Sequence, residues 1–119
     1  MAFDSAATLA MDVPAEAREP ARPTVSLIIP THNRSELLKG GLESVARLRV
    51  PDRALLEVIV VDNNSVDGTS AMVLGLQASY PFPLTYIFEP QAGVSYARNS
   101  GIAKAQGEIL VFMDDDQEL

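Results

Sequence analysis

At 119 residues, with 47% hydrophobic and 21% charged side chains, the chain has the make-up of an ordinary globular protein and the length for one modest domain. It contains no cysteine, which excludes a disulfide scaffold, a thiolate metal site and a cysteine nucleophile. The formal net charge of −7 leaves no basic patch to release counterions, so neither nucleic acid nor an anionic membrane surface is an expected partner.

Residues 1–23 are rich in Ala, Pro and acidic side chains without a sustained period, as in a flexible leader, and they lack the basic start and apolar centre of a secretory signal. No apolar run approaches the ~20 residues that cross a bilayer. The reading is therefore a cytoplasmic protein with no membrane segment, whose domain spans 24–119. Within that domain short β-branched runs alternate with helically spaced apolar residues, the signature of an α/β fold with a mainly parallel sheet.

A first strand over 25–29 is ended by Pro30, which has no N–H for a sheet ladder. Asn33 and Glu36 are spaced for a capping box, and Leu38, Leu42, Val45 and Leu48 form the apolar stripe of the first helix, closed by Pro51. A second strand covers 57–61, and a second helix starts from Asp67 as cap with Met72, Val73, Leu76 and Tyr80 as its stripe. Pro81 and Pro83 end it. A third strand covers 84–88, a third helix runs from Gly93 through Ala105 and stops at Gly107, and a fourth strand covers 109–113. Asp114, Asp115 and Asp116 follow at once.

Ligands of open parallel sheets bind outside the carboxyl ends of the strands. Those positions hold Pro30, Thr31, His32 and Asn33, then Asp62, Asn63, Asn64 and Ser65, then Glu89 and Pro90, and finally the three aspartates. Turns favour Asn, Asp, Ser and Pro for backbone reasons alone, but polar sets at every strand end converge on one rim. The aspartate run crowds like charges, which a divalent cation with oxygen ligands would relieve; Mg²⁺ or Mn²⁺ bridging a diphosphate suits it. Its rival is an exposed acidic turn.

Taken in order, VSLIIPTHNR at 25–34, VVDNNSVDGT at 60–69 and ARNSGIAKAQGEILVFMDDD at 97–116 resemble the nucleotide-binding half of family 2 glycosyltransferases, which have the GT-A fold. The resemblance covers residue 24 to the C-terminus. It implies the strand order three-two-one-four and an inverting transfer of sugar from a nucleoside diphosphate sugar donor to an acceptor hydroxyl. By the same resemblance Pro30, Thr31 and His32 border the nucleobase, and Asp62 and Asn63 bind its edge. Asn63 stands where the family often has a second acidic residue, which leaves the base open. The aspartates match an Asp-X-Asp motif: Asp114 and Asp115 face ribose or phosphate, and Asp116 coordinates the metal. Arg98 is placed near the nucleotide sugar, although Arg98 and Asn99 read as opposite Val94, Ala97 and Ile102 on the helix.

The family's general base is expected on a segment beyond Leu119, so no residue is assigned that role. His32, a lone histidine in a turn, reads as a hydrogen-bonding or stacking residue, and the Asp67, Gly68, Thr69 set as a helix cap, not a phosphate loop. Glu89 is left undecided. A sugar-phosphate nucleotidyltransferase would also use metal-binding carboxylates, but the turn from Thr31 to Arg34 lacks that class's glycines. A non-catalytic nucleotide-binding fragment is the other alternative. The topology predicts two helices on one sheet face and one on the other, leaving strand residues such as those at 58–61 partly bare.

Overall fold

A computed structural model of the chain describes residues 24–50 and 55–117. The alternation of patterns resolves into β1 (Val25–Thr31), α1 (Ser35–Ala46), β2 (Leu56–Asp62), α2 (Thr69–Leu76), β3 (Leu84–Phe88), α3 (Val94–Lys104) and β4 (Ile109–Phe112). All four strands are parallel and lie in the order β3-β2-β1-β4, as expected. The leader expected over 1–23 and the break at Pro51 fall outside the described residues. Among those residues no helix is long and apolar enough to cross a membrane.

Because side chains alternate across a strand, each central strand feeds two cores. Leu27 and Ile29 of β1 and Val58 and Val60 of β2 pack with Leu38, Leu42 and Val45 of α1 and Val73 of α2. Their neighbours Ile28, Ile59 and Val61 pack with Ala97 of α3 on the opposite face. The helices thus divide two and one between the faces, the arrangement that right-handed crossovers demand for this strand order. Burying each such Val, Leu or Ile stabilises by roughly 1.5–3 kcal/mol.

The expectation of bare side chains at 58–61 is wrong: all four are fully buried. Ala97 and Gly101 give α3 a flat face, and a Cβ built on Gly101 would come within 2.5 Å of Ile28 Cγ2, so the helix lies close enough to cover both central strands. Exposure falls instead on β4, where Ile109, Leu110, Val111 and Phe112 are 37% to 53% exposed. Among the described residues that strand is an edge and pairs with β1 alone.

Three local expectations also change. Pro30 lies inside β1, paired with Val61. The Ile28 carbonyl accepts from Met113 N on one side and the Thr31 carbonyl from Asn63 N on the other. By alternation Pro30 faces the β4 side past the last β4 residue, where no ladder donor is missed. The capping box does not form: Arg34 is the N-cap residue of α1 and makes no side-chain cap bond. Leu48 and Tyr80 lie beyond the ends of α1 and α2, although Tyr80 still packs on the core and donates to the Leu42 carbonyl at 2.6 Å.

At the amino end of the sheet a polar network replaces apolar packing. Ser26 Oγ donates to Glu57 Oε2 at 2.5 Å, and the same carboxylate oxygen accepts from Gln106 N at 2.7 Å. Ser26 Oγ also accepts from Gly107 N at 2.8 Å, which ties the α3–β4 connection to β1.

Candidate functional site

At the carboxyl end of the sheet the β1–α1 and β2–α2 turns lock together. Asn33 has φ 51°, a left-handed conformation that Asn tolerates. Its Oδ1 accepts from Val66 N at 2.8 Å, and its own N–H donates to Ser65 Oγ at 2.8 Å. This use of Asn33 takes the place of the expected cap. Asp67 Oδ2 accepts from Ser35 N at 3.2 Å, while Oδ1 accepts from Thr69 N and Thr69 Oγ1. Gly68, not Asp67 as expected, is the N-cap residue of α2. Asp67 lies one residue earlier and acts as a strut between the turns, and the Thr69 hydroxyl above all holds its carboxyl below the usual range.

The two residues expected to bind a nucleobase edge are spent on structure. Asp62 is buried, with Oδ1 accepting from Ser65 N at 3.0 Å and Oδ2 from the Tyr86 hydroxyl at 2.5 Å. Burial, with the Asp62 bond and charge added, pushes the Tyr86 phenol upward. The Asn63 amide donates to the Glu89 and Gln91 carbonyls at 3.2 and 2.7 Å, and its Oδ1 accepts from Gly93 N at 2.9 Å. Gly93 has φ 136°, open to glycine and strained for other residues, so this amide shapes the loop that starts α3. Glu89 completes the loop by accepting from the Ser100 hydroxyl and from Gln91 N at 2.9 Å; those bonds, the Ser100 one first, hold its carboxyl low.

His32 Nδ1 lies 2.6 Å from the Asn63 carbonyl oxygen, so Nδ1 carries the proton. Its Nε2 lies 3.3 Å from Asn33 Nδ2 and accepts. Both ring nitrogens have partners within the protein, which agrees with the hydrogen-bonding role read for His32.

The three aspartates do not cluster. Asp115 is 6% exposed and turned inward, where its Oδ2 accepts from Thr31 Oγ1 at 3.0 Å and its Oδ1 pairs with Arg34 at 3.4 Å. Asp114 and Asp116 are exposed on either side of it. Alternation along the turn and the Arg34 charge therefore relieve the crowding expected from the run. The turn sits against α1 because residue 41 is glycine: a Cβ there would meet the Asp115 and Gln117 carbonyl oxygens at 3.1 and 3.2 Å.

Two adjoining cavities result. One, of about 420 Å³, is lined by Pro30, Thr31, His32, Asn63 and Asp115 on one side and by Gly93, Val94 and Ala97 on the other. The second, of about 300 Å³, brings Arg34 and Arg98 to Asp114, Asp115 and Asp116. Pro30, Arg34, Val94 and Asp115 border both. Every predicted site residue except Asp62 lines one or the other. Arg98 does not oppose Val94: the two share the second cavity, and the buried face of α3 is made by Ala97 and Gly101.

Residues 26–119 match the family model described as glycosyl transferase family 2. The chain belongs to that family. Among curated relatives, the succinoglycan biosynthesis protein ExoM of Rhizobium meliloti (strain 1021) is 40% identical over 87 residues, which cover 73% of this chain and 28% of ExoM. The GalNAc(5)-diNAcBac-PP-undecaprenol beta-1,3-glucosyltransferase of Campylobacter jejuni is 36% identical over 98 residues, 82% of this chain and 31% of that protein. The chain thus spans less than a third of the length of these relatives. Among solved structures, the mannosyltransferase PcManGT from Pyrobaculum calidifontis in complex with GDP-Man and Mn²⁺ superposes with TM-score 0.72 at 33% identity, covering 89% of this chain and 32% of that one. S. aureus TarS 1-349 in complex with UDP-GlcNAc does so with TM-score 0.70 at 29% identity, over 78% and 26%. The GT-A fold follows.

Family 2 membership raises the question of a metal. Among the described residues no three His, Cys, Asp or Glu side chains converge into a cage. Mg²⁺ and Mn²⁺ sites built on substrate phosphates need only one or two carboxylates. The exposed Asp114 and Asp116, beside a cavity that also holds two guanidiniums, are donors of that kind, so the residues fit a cation shared with a phosphate ligand. Sequence reading missed Arg34, whose signal was a basic residue directly after the polar turn of β1, and the α3 wall of Gly93 and Val94.

Proposed function

We propose that this glycosyltransferase chain is the donor-binding portion of an inverting enzyme that holds a nucleoside diphosphate sugar with Mg²⁺ or Mn²⁺ for transfer to an acceptor hydroxyl. The observation that carries the proposal is the pair of adjoining cavities at the strand ends, one in which Pro30, His32, Val94 and Ala97 offer flat or apolar surface beside polar Thr31 and Asn63, and the other with two arginines and two exposed carboxylates. A flat base and a charged diphosphate need that division. The GDP-Man and Mn²⁺ complex of the Pyrobaculum mannosyltransferase and the UDP-GlcNAc complex of TarS support it.

In this reading the base enters between Pro30 and His32 on one wall and Val94 and Ala97 on the other. Asp62 acts from behind, and Asn63, which lines the cavity, fixes the loop that starts α3. Asp115, already bonded to Thr31 and Arg34, keeps Arg34 at the boundary between the cavities. Arg34 and Arg98 offset phosphate charge in a protein whose net charge of −7 would otherwise repel it. Asp114 faces ribose or phosphate, and Asp116 holds the cation. When bound, that cation supplies Lewis acidity to the departing diphosphate. Inversion also requires a base for the acceptor hydroxyl, a role given to none of the described side chains.

Calorimetric titration with UDP, GDP and dTDP, with and without Mn²⁺ or Mg²⁺, tests the proposal. Binding of at least one diphosphate is expected to need the cation and to weaken about tenfold or more in Asp116→Ala. Equal affinity of that variant would sink the metal assignment.

A further inference from the structure

We propose that Phe112 is a positioning residue for the phosphate end of the site: its ring holds the Arg98 guanidinium beside Asp114 and Asp116, ready for a diphosphate. The inference rests on the donor-binding reading above and adds a residue to it.

The Arg98 guanidinium carbon lies 5.6 Å from the Phe112 ring centroid, and both side chains line the cavity of about 300 Å³. The two arginines there are held differently. Arg34 is paired with the Asp115 carboxylate, whereas Arg98 makes no ion pair among the described residues. A carboxylate partner consumes both the charge and the donors of a guanidinium. An aromatic face attracts the cation through the ring quadrupole but leaves the N–H groups at its rim free for an anion. Arg98 is thus oriented without being neutralised.

The placement has a backbone cause. Phe112 pairs with Ile28 across the ladder, and Ile28 belongs to the core beneath α3, so the Phe112 ring lies on the α3 side of the sheet. Phe112 is 41% exposed, and the contact described for its ring is the one with Arg98. Without it the long Arg98 side chain has many rotamers open to it, and a diphosphate must order it on binding.

The test uses the full chain with Mn²⁺ and compares UDP and GDP with UMP and GMP by calorimetry. Phe112→Leu is expected to weaken the diphosphates about fivefold while the monophosphates change by less than about twofold. Phe112→Tyr, which keeps the ring, is expected to bind like the parent, and in an Arg98→Ala background Phe112→Leu should add nothing. In the ligand-free chain, Arg98 side-chain proton resonances should carry an upfield ring-current shift that Phe112→Leu abolishes and Phe112→Tyr retains. No such shift, equal losses for mono- and diphosphates, or an undiminished loss in the Arg98→Ala background would overturn the proposal. The two readings also separate: if Arg98→Ala and Asp116→Ala weaken diphosphate binding and Phe112→Leu does not, only the positioning role falls. If the parent chain binds neither diphosphate, the donor site and the positioning role fall together.

Discussion

Replacing Gly101 with Ala adds one methyl group at the tightest contact between α3 and the sheet. A Cβ at that position would lie 2.5 Å from Ile28 Cγ2 and 3.3 Å from Val61 Cγ2, against an optimum of about 3.5–4.0 Å between carbons. Ile28 and Val61 are fully buried on the two central strands, and both are β-branched and stiff at χ1. The helix must therefore lift by on the order of 1 Å, an overpacking that costs about 1–3 kcal/mol. Helix propensity opposes this, since Ala is better than Gly in a helix interior by about 0.8–1 kcal/mol. The steric term wins, for a net loss of about 1 kcal/mol and a fall in Tm of about 4–8 °C in a domain of this size. Gly75→Ala in α2 is the control, because nothing lies within 4 Å of its added Cβ. There propensity acts alone, weakened because Gly75 is the penultimate residue of α2, and should stabilise by about 0.5 kcal/mol. Chemical unfolding followed by circular dichroism reads both changes. A Gly101→Ala chain as stable as its parent would refute the reasoning, because it would mean that α3 stands off the sheet.

Asp67→Ala should cost about 1 kcal/mol at neutral pH through the lost bonds to Thr69 and Ser35. The folded carboxyl is held low, so this advantage of the parent is present above the unfolded value of about 3.9 and disappears as pH falls through the folded value; melting from pH 7 to pH 2 checks it. Burial pushes the Tyr80 hydroxyl up to about 12, so the folded chain keeps a proton that the unfolded chain releases from pH 10.0 upward. Stability should fall between those two pH values, less steeply in Tyr80→Phe, as measured by urea midpoints. Thr31→Val leaves one oxygen of the buried Asp115 without its hydroxyl donor and should cost about 1–2 kcal/mol, measured by thermal unfolding.

The strands were the most legible part of the chain, because runs such as Leu27, Ile28, Ile29 and Val58, Ile59, Val60, Val61 are buried on both sides and read as continuous apolar segments. The span of β3 was read without error, and the limits of α3 to one residue at each end. The orientation of α3 was not legible. Large apolar residues usually mark a buried stripe, and Val94 and Ile102 suggested one, but a helix lying this close to a sheet presents its smallest residues, Ala97 and Gly101. That inversion misplaced Arg98, and the same close approach lets the single helix cover 58–61, which the count of helices per face did not foresee. The role of Asn33 was hidden for another reason: a local capping pattern is visible in sequence, while Val66 and Ser65, its actual partners, belong to a distant turn. The aspartate run showed adjacency but not direction, and only the turn geometry sends Asp115 inward and leaves Asp114 and Asp116 outside.

Two positions without side chains set the length of chain that leads to those aspartates. A Cβ at Gly107 would fall 2.7 Å from Ser26 Oγ and 2.9 Å from the Val25 carbonyl carbon, and one at Gly41 would press on the backbone of Asp115 and Gln117. The stretch between the two contacts is drawn over β1 from one end of the sheet to the other, with little side-chain burial along the way. It should therefore reject a single inserted or deleted residue. An insertion would either lift Gly107 from Ser26 or drive the turn into α1, and by the two-residue period of a strand it would carry the carboxylates to the wrong face.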